Sequence, residues 1–326
     1  GKFACSDERL NKIWEISART LKLCMEDSFT DCPLYEQTLW VGDARNEGQF
    51  AYTTFDAVDL AKRCAKLTAY SLDEYPMALC QVPTTWEIIL PAWSFLWGRM
   101  LWDYYFYTGD TAFPREMYPY MIKNLKGAAS YSDERGLFSA PFWNMFDWSG
   151  IDDGHNSVTH CSMFAVGAVD AALGVADALG IEDDKAWLEE YRAKLVKGIN
   201  GLWNDEKNSY VDSVHNGGKL SEKTSVHTNF LSLLYDIVPE EHKQAALDNV
   251  IAPPAGMTLL GSPFAAMYLF EALEKMGRQD VIMKDIHEYY QPMLDENATT
   301  VWESFSSGTT GGNGFPTRSH THAWSS

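Results

Sequence analysis

Apolar side chains recur every three or four positions along most of the chain, which is the spacing that lays a hydrophobic stripe on one face of an α-helix. The first stripe contains Leu10, Ile13, Trp14, Ile16 and Leu21. The same spacing predicts helices around 117–125, 187–199 and 264–273, and further helices are predicted near 43–72, 92–107, 157–179, 224–237, 240–250 and 279–291. The pattern therefore indicates about ten helices.

Strand patterns are weak, and only the segment Tyr210–Leu220, with a turn at 216–218, predicts a hairpin. No shift in composition and no long linker divides the sequence, so residues 1–326 are expected to form a single domain. An all-α domain of this length without heptads is too large for a simple bundle, which leaves a closed toroid or a solenoid. A solenoid should show a fixed sequence period, and none is found, so the toroid is favoured.

The chain is strongly acidic. Its 326 residues include 26 Lys and Arg against 45 Asp and Glu, which gives a net charge of −19. Such a surface excludes nucleic acid and anionic membranes as partners, because both need a basic face. No apolar run is expected to reach the roughly 18 residues of a membrane-spanning helix. The six cysteines form no CxxC pair and no cluster with histidine, so neither a zinc site nor a disulfide framework is predicted.

One acidic segment, DCPLYEQTLWVGDARNE at 31–47, is a candidate for chemistry. It holds four carboxylates in seventeen residues, interleaved with Tyr35 and Trp40, where Pro33 and Gly42 indicate a loop followed by a helix. Carboxylates beside aromatic rings are typical of sugar sites, because acids bind or protonate oxygens while rings pack on C–H faces. The alternative is an acidic surface loop in which Asp43 caps the next helix.

A second candidate is Glu303, which lies among apolar and hydroxyl residues near a segment with His320 and His322. A buried carboxyl there would suit proton transfer, although a purely structural carboxylate is the alternative. The two histidines are expected to form hydrogen bonds rather than to bind a metal. The loop 152–155, DDGH, lacks the spaced oxygen ligands of a calcium loop and is expected to be solvated, so no metal is predicted.

Six tryptophans crowd the middle of the chain, and most are expected in the core. Trp93, just after Pro91 at a helix start, and Trp148, in a loop, have positions that suit the rim of a cavity. The set comprises Trp86, Trp93, Trp97, Trp102, Trp143 and Trp148.

The segment 31–47 resembles the signature of the inverting α-L-rhamnosidases of glycoside hydrolase family 78. The resemblance extends over nearly the whole chain, from LNKIWEISARTLKLCMEDSFTDCP through IILPAWSFLWGRMLWDYYFYTGD and TTVWESFSS to SHTHAWSS. It implies an (α/α)6 barrel, in agreement with the toroid. Family barrels continue into a closing helix after the position of His322, so the resemblance implies a barrel without that helix, open at one seam with apolar faces exposed.

The resemblance also implies roles for particular residues. Glu36 corresponds to the general acid and Glu303 to the general base, with Asp31 and Asp43 binding rhamnose hydroxyls. The walls of the sugar subsite would be Trp40, Trp93, Trp148 and His322. The implied substrate is a rhamnose-containing glycoside or polysaccharide, and no cofactor is implied. Family members carry β-sandwich domains around the barrel, so residues 1–326 are expected to be the catalytic fragment of a larger enzyme.

Two rival functions remain open. Another (α/α)6 enzyme such as a sugar epimerase would transfer protons through paired histidines instead of carboxylates. A non-catalytic or truncated sugar-binding relative would keep the pocket without turnover. The acidic segment favours hydrolysis.

Overall fold

The fold is almost entirely helical, as predicted. The computed structural model describes residues 1–305 and 319–326, and eleven α-helices lie within them. They are α1 (Glu8–Leu23), α2 (Val41–Thr54), α3 (Val58–Ser71), α4 (Pro91–Thr108), α5 (Ala112–Ala129), α6 (Thr159–Leu179), α7 (Lys185–Asn200), α8 (Val226–Leu234), α9 (Glu240–Ile251), α10 (Pro263–Lys275) and α11 (Gln279–Asp295).

The helices form two concentric rings. The even-numbered helices follow one another in the inner ring, where α2 contacts α4, α4 contacts α6, α6 contacts α8 and α8 contacts α10. Helices α4, α6 and α8 are buried on nearly every face, whereas the odd-numbered helices bury one face only. This is the toroid of helical hairpins expected from the sequence, because each outer helix packs its apolar face on an inner helix that is buried on nearly all sides.

The sixth place of the inner ring is taken by a short turn instead of a helix. A 3₁₀ turn at Ala323–Ser325 contacts α1, α2 and α10. The Trp324 ring lies 5.1 Å from the Phe264 ring of α10, and its indole N–H donates to the Glu303 carbonyl over 3.0 Å. The closing helix is thus absent from the described residues, and this turn packs where it would lie.

The expectation of an apolar seam exposed between the first and last helices is wrong. Helix α1 packs against α11, and Ile13 and Ile16 share one buried cluster with Tyr290 and Met293. Ile16 is 1% exposed and Met293 is fully buried. The two outer helices therefore cover each other's apolar stripes.

The predicted helix at 43–72 is two helices. Helix α2 ends at Thr54, where Phe55 adopts an extended conformation (φ −132°, ψ 164°), and α3 starts at Val58. The consecutive Thr53 and Thr54 have low helix propensity, which favours an end there. The chain reverses between them and passes from the inner ring to the outer ring.

The predicted hairpin at Tyr210–Leu220 has its turn but different strand partners. A 3₁₀ turn at Asn216–Gly218 brings Val214 beside Leu220 in a single bridge. The four short strands pair elsewhere, β2 with β3 and β1 with β4, both antiparallel. They are β1 (Ser157–Val158), β2 (Trp203–Asn204), β3 (Ser209–Tyr210) and β4 (Ser213–Val214).

Helix α6 corrects the expectation that no apolar run is long enough to span a membrane. Its 21 residues pass that test by length and composition, since Gly167, Asp170 and Gly174 do not break the helix. Most of the run, 72%, is buried inside the domain, where it contacts α4, α5, α7 and α8. Its apolar character is therefore explained by its place in the inner ring.

A buried arginine that the sequence did not single out joins three inner helices. The Arg45 side chain of α2 is fully buried and donates from Nε to Asp103 Oδ2 of α4 over 2.8 Å. Its Nη2 donates to Glu271 Oε1 of α10 over 3.2 Å, and the guanidinium lies 5.4 Å from the Tyr268 ring centre. Next to it, Asn46 accepts a hydrogen bond from the Tyr268 hydroxyl.

Replacing this arginine should destabilise the fold strongly. Arg45→Ala leaves the Asp103 carboxylate buried without its partner, so we expect the free energy of unfolding in denaturant to fall by about 3–5 kcal/mol. The matched control is Arg63→Ala, whose partner Asp27 is 83% exposed, and a loss of about 0–1 kcal/mol is expected. Equal losses in both variants would contradict the anchoring role of Arg45.

Candidate active site

One end of the inner ring holds a cavity of about 770 Å³. Its walls come from the segments that precede α2, α4 and α6 and from the C-terminal segment. The first turns of α2 and α4 line it through Asp43 and Trp93, and the loop of Trp148 is bonded to the starts of α8 and α10, so the N-terminal ends of these inner helices meet at this end of the ring. The lining residues are Glu36, Trp40, Asp43, Gln81, Trp86, Leu90, Trp93, Trp143, Met145, Trp148, Glu303, Ser304, His322 and Trp324.

The cavity brings together seven of the eight residues predicted from the sequence. Glu36, Trp40, Asp43, Trp93, Trp148, Glu303 and His322 all line it. Asp31 lies behind the wall, 1% exposed.

Glu36 is exposed at the cavity and is held by the tryptophan one turn further on. The Trp40 indole N–H donates to Glu36 Oε2 over 2.6 Å, and the Glu36 backbone N–H points at Cys32 Sγ, 3.5 Å away. Trp40 is itself the N-cap residue of α2 and pairs through its backbone with Gln81. The carboxyl of Glu36 therefore has a defined position although it meets solvent.

Asp43 lies in the first turn of α2 and is 2% exposed. The Trp93 indole N–H donates to its Oδ1 over 3.0 Å. A Cβ at Gly42 would lie 2.7 Å from the Trp93 ring, so glycine is required for the indole to approach α2 this closely. The alternative of an exposed Asp43 capping the helix is wrong, because Trp40 is the N-cap and Asp43 is buried.

Asp31 and His322 form a buried pair beside the cavity. Asp31 Oδ2 lies 3.8 Å from His322 Nε2, while Asp31 Oδ1 accepts the Thr38 backbone N–H. Burial raises the pKa of Asp31 to about 7 and lowers the pKa of His322 to about 3. The imidazole is therefore neutral, and the pair is a polar contact rather than an ion pair.

Two further carboxyls share this electrostatic environment. Burial, reinforced by Asp31, raises the pKa of Asp43 well above its usual range. Burial, reinforced by Asp43, does the same to the pKa of Glu47, one turn along α2. Neither carboxyl oxygen of Glu47 has a hydrogen-bond partner among the described residues. The protonated form is favoured at both positions, since desolvation penalises the charge.

Glu303 is held by the C-terminal segment. Ser319 N–H donates to Glu303 Oε2 over 3.1 Å, and the Glu303 N–H donates back to the Ser319 carbonyl over 3.0 Å. The side chain is 9% exposed and reaches the cavity. The backbone of Glu303 is thus structural, because its carbonyl also accepts from the Trp324 indole N–H, while its side chain lines the cavity.

The loop that carries Trp148 is anchored by its neighbour Asp147, which sequence reasoning missed. Asp147 is buried and accepts hydrogen bonds from His227 Nε2 (2.7 Å), the Gly261 N–H (2.7 Å) and Ser262 Oγ (2.5 Å). His227 begins α8 and Ser262 caps α10, so this one carboxylate joins the cavity loop to two inner helices. A Cβ at Gly261 would meet the Trp148 carbonyl at 1.6 Å.

Trp86 and Trp143 are not core residues, contrary to the expectation for most of this tryptophan group. Trp86 is 50% exposed and Trp143 is 38% exposed, and both line the cavity. Trp97 is fully buried, as expected for the core. The nearby prolines Pro83 and Pro141 were the available sequence signal, because they place both tryptophans in loops.

One group outside the cavity could hold a metal ion. Asp152, His155 and His215 each offer a ligand atom, all within 4.8 Å of one another, and two imidazoles with a carboxylate suit zinc or a similar ion. Asp152 Oδ2 already accepts from His215 Nε2 and from the hydroxyls of Ser213 and Ser221. The expectation of a merely solvated loop is therefore wrong: these residues form a hydrogen-bonded cluster.

Known proteins resemble this chain over its full length. The crystal structure of a glycoside hydrolase family 78 rhamnosidase from Bacillus sp. GL1 has a TM-score of 0.95 and 37% identity, over 100% of this chain and 34% of that one. A rhamnosidase from Klebsiella oxytoca, solved with rhamnose bound, shows the same fold with a TM-score of 0.84 and 22% identity, over 100% of this chain and 63% of that one.

Sequence comparison gives the same family. An alpha-L-rhamnosidase of Formosa agariphila is 28% identical over 163 residues, 45% of this chain and 16% of that protein. The matched segment thus spans about a sixth of the Formosa protein, and the whole chain spans about a third of the Bacillus one. The family described as the bacterial alpha-L-rhamnosidase six-hairpin glycosidase domain matches residues 1–326. The chain therefore belongs to this family and is a catalytic domain of glycoside hydrolase family 78.

Proposed function

We propose that this chain is the catalytic domain of an α-L-rhamnosidase that removes terminal non-reducing α-L-rhamnose with inversion at the anomeric carbon. Glu36 is the general acid and Glu303 the general base. The observation that carries the proposal is that these two carboxyls, 267 positions apart in sequence numbering (303 − 36), line one cavity with aromatic walls. Family membership supports the same conclusion.

The contacts of Glu36 suit a general acid. The acid must deliver a proton to the glycosidic oxygen while that oxygen leaves the sugar. The Trp40 N–H holds Oε2 of Glu36, so the carboxyl has a defined position from which to protonate that oxygen. Glu36 also meets solvent at the cavity, which gives protons a path between bulk water and the site.

The contacts of Glu303 suit a general base. In an inverting reaction the base removes a proton from a water molecule that attacks the opposite face of the sugar. The Ser319 N–H fixes Oε2 of Glu303, and the low exposure of the side chain limits its motion. A base held in this way has one orientation toward the attacking water.

The lining of the cavity suits a 6-deoxy sugar. Trp40, Trp93 and Trp148 offer apolar surface for C–H faces and for the methyl group at C6. Asp43 and the imidazole of His322 offer polar atoms for hydroxyls, and Asp31 supports His322 from behind. Burial raises the pKa of Asp43, and a protonated carboxyl can donate a hydrogen bond to a hydroxyl as well as accept one.

The rival functions have less support. Among the described residues that line the cavity, His322 is the sole histidine, so the paired histidines of an epimerase are not found there. A non-catalytic binding relative would need neither Glu36 nor Glu303, and both are present. The proposed substrate is a rhamnose-containing glycoside or polysaccharide, and the proposed larger enzyme carries β-sandwich domains beside this one.

Proton NMR of the products tests the stereochemistry. An inverting enzyme acting on an α-L-rhamnoside should release β-L-rhamnose first, because water attacks the face opposite the leaving group. Spectra recorded within minutes, before mutarotation equilibrates the anomers, should show the β anomeric proton ahead of the α signal. Initial release of the α anomer would contradict inversion and the pairing of roles.

Glu303→Gln should abolish most turnover and keep sugar binding. Removal of a general base costs about 10²–10⁴-fold in kcat, whereas the amide conserves the shape of the pocket. Rates on p-nitrophenyl α-L-rhamnoside and rhamnose affinity by calorimetry measure the two effects. Glu134→Gln is the matched control, since Glu134 is 87% exposed on the surface. A loss below tenfold at Glu303 would overturn the assignment.

Glu36→Gln should affect substrates according to their leaving groups. A poor leaving group such as methanol needs protonation, so a loss of about 10²–10⁴-fold in kcat/KM is expected on methyl α-L-rhamnoside. On 2,4-dinitrophenyl α-L-rhamnoside the loss should be far smaller, because that phenolate departs without a proton. Equal losses on both substrates would show that Glu36 is not the acid.

A further inference from the structure

The mouth of the cavity carries a continuous row of four tryptophans. The Trp40 and Trp86 ring centres lie 5.9 Å apart, those of Trp86 and Trp143 6.3 Å apart, and those of Trp143 and Trp148 6.5 Å apart. The ring planes of these pairs are inclined by 87°, 48° and 53°, so none of the three pairs is stacked face to face.

The two central members of the row are unusually exposed. All twelve tryptophans of the chain lie within the described residues, and Trp86 and Trp143 are the two that are exposed. Leaving large apolar rings in water is unfavourable, and contiguous exposed aromatic surface beside a cavity marks a ligand-binding region. Their exposure thus needs a functional explanation, which the rhamnose pocket itself does not supply.

The loops that carry these two rings are fixed by internal hydrogen bonds. Thr84 Oγ1 accepts the Trp86 backbone N–H over 2.8 Å and donates to Gln81 Oε1 over 2.9 Å. Next to Trp143, the buried Asn144 donates from Nδ2 to the carbonyls of Ala140 (3.0 Å) and His155 (2.7 Å). A surface held in place before binding loses little conformational freedom when a ligand arrives.

The two exposed members of the row lie at the open side of the cavity. In the proposed mechanism Glu36 contacts the glycosidic oxygen, so this carboxyl marks the boundary between rhamnose and the leaving group. Trp40 donates to Glu36, and its ring adjoins that of Trp86. A terminal rhamnose fills the closed part of the cavity, where Trp93 and Trp324 are buried, so its leaving group points toward solvent, where Trp86 and Trp143 are exposed.

The charge of the lining indicates what kind of leaving group fits. The described lining residues include Glu36, Asp43 and Glu303 but no lysine or arginine. An anionic leaving group such as a uronate would find no lysine or arginine among these lining residues to compensate its charge. An uncharged group with a flat apolar face would gain stacking contacts with the indole rings and lose nothing.

We propose that Trp86 and Trp143 form the leaving-group subsite and select uncharged leaving groups that present a flat apolar face, either an aryl ring or the C–H face of a neutral sugar. This inference rests on the proposed rhamnosidase function and names the substrate class for that site. The two tryptophans are specificity residues, since their proposed role is to contact the leaving group and not to transfer a proton.

The test compares variants across leaving groups. The full chain and Trp86→Ala, Trp143→Ala and the double variant are assayed on methyl, phenyl and β-D-glucopyranosyl-linked α-L-rhamnosides, the last with the sugar as the leaving group. We expect the double variant to lose about tenfold or more in kcat/KM on one or both face-bearing substrates, and less than about threefold on the methyl rhamnoside. A loss of kcat/KM on the phenyl substrate alone indicates that the subsite takes an aryl ring, and a loss on the glucosyl substrate alone indicates that it takes a sugar face. Equal ratios on all three would overturn the subsite.

Three controls make the result decisive. Trp86→Phe with Trp143→Phe keeps flat rings and should recover most of the lost kcat/KM, while failure to recover would contradict stacking. Phe106→Ala removes a 71% exposed ring outside the cavity and should change no ratio. Rhamnose affinity by calorimetry should stay within about threefold in every tryptophan variant, and a larger loss would assign these rings to the sugar pocket.

The experiment distinguishes failure of the subsite from failure of the proposed rhamnosidase function. If the unaltered chain hydrolyses none of the rhamnosides yet binds rhamnose, the proposed catalysis fails. The subsite then predicts that phenyl rhamnoside binds more tightly than methyl rhamnoside, and that the alanine substitutions at Trp86 and Trp143 remove this difference in affinity. If the chain hydrolyses all substrates with equal variant ratios, the function stands and the subsite falls.

Discussion

The placement of α2 depends on the partners of one buried cation. A guanidinium that is removed from water is tolerated only where carboxylates surround it, and Arg45 finds them on α4 and α10, at Asp103 and Glu271. Because these partners fix the rotation and the height of α2, they also fix Asp43, which lies half a turn earlier and reaches the cavity. The chemistry of the pocket is thus positioned by an ion pair network in the core.

The sequence predicted helices of both rings. Outer helices such as α1 and α7 bury one face, so their stripes of apolar residues define both type and position. Inner helices such as α6 are buried all round, and the helix predicted near 157–179 matches Thr159–Leu179. The division of 43–72 into two helices was missed, because the weak helix propensity of Thr53 and Thr54 does not by itself end a helix.

The site was predictable where its residues lie close together in sequence. The acidic segment around Glu36 and the apolar and hydroxyl setting of Glu303 each carried a signal, to which the family resemblance added the roles. Asp147 and Arg45 gave none, because their partners lie 58 to 226 positions away in the chain. The exposure of Trp86 and Trp143 was missed for a related reason: a tryptophan's burial is decided by the elements that pack on it, and a local segment does not contain them.

The N-terminal ends of the inner helices meet at the cavity, and this has an electrostatic consequence. Each helix terminus contributes roughly half a positive charge from its unpaired N–H groups. The proposed hydrolysis passes through an oxocarbenium-like state that is itself positive, so the backbone of the toroid opposes the reaction it houses. Asp31, Asp43 and Glu47 are more carboxyls than acid and base catalysis requires. Burial raises the pKa of all three, and whichever of them is ionised places a negative charge beside these helix ends, where it offsets their field.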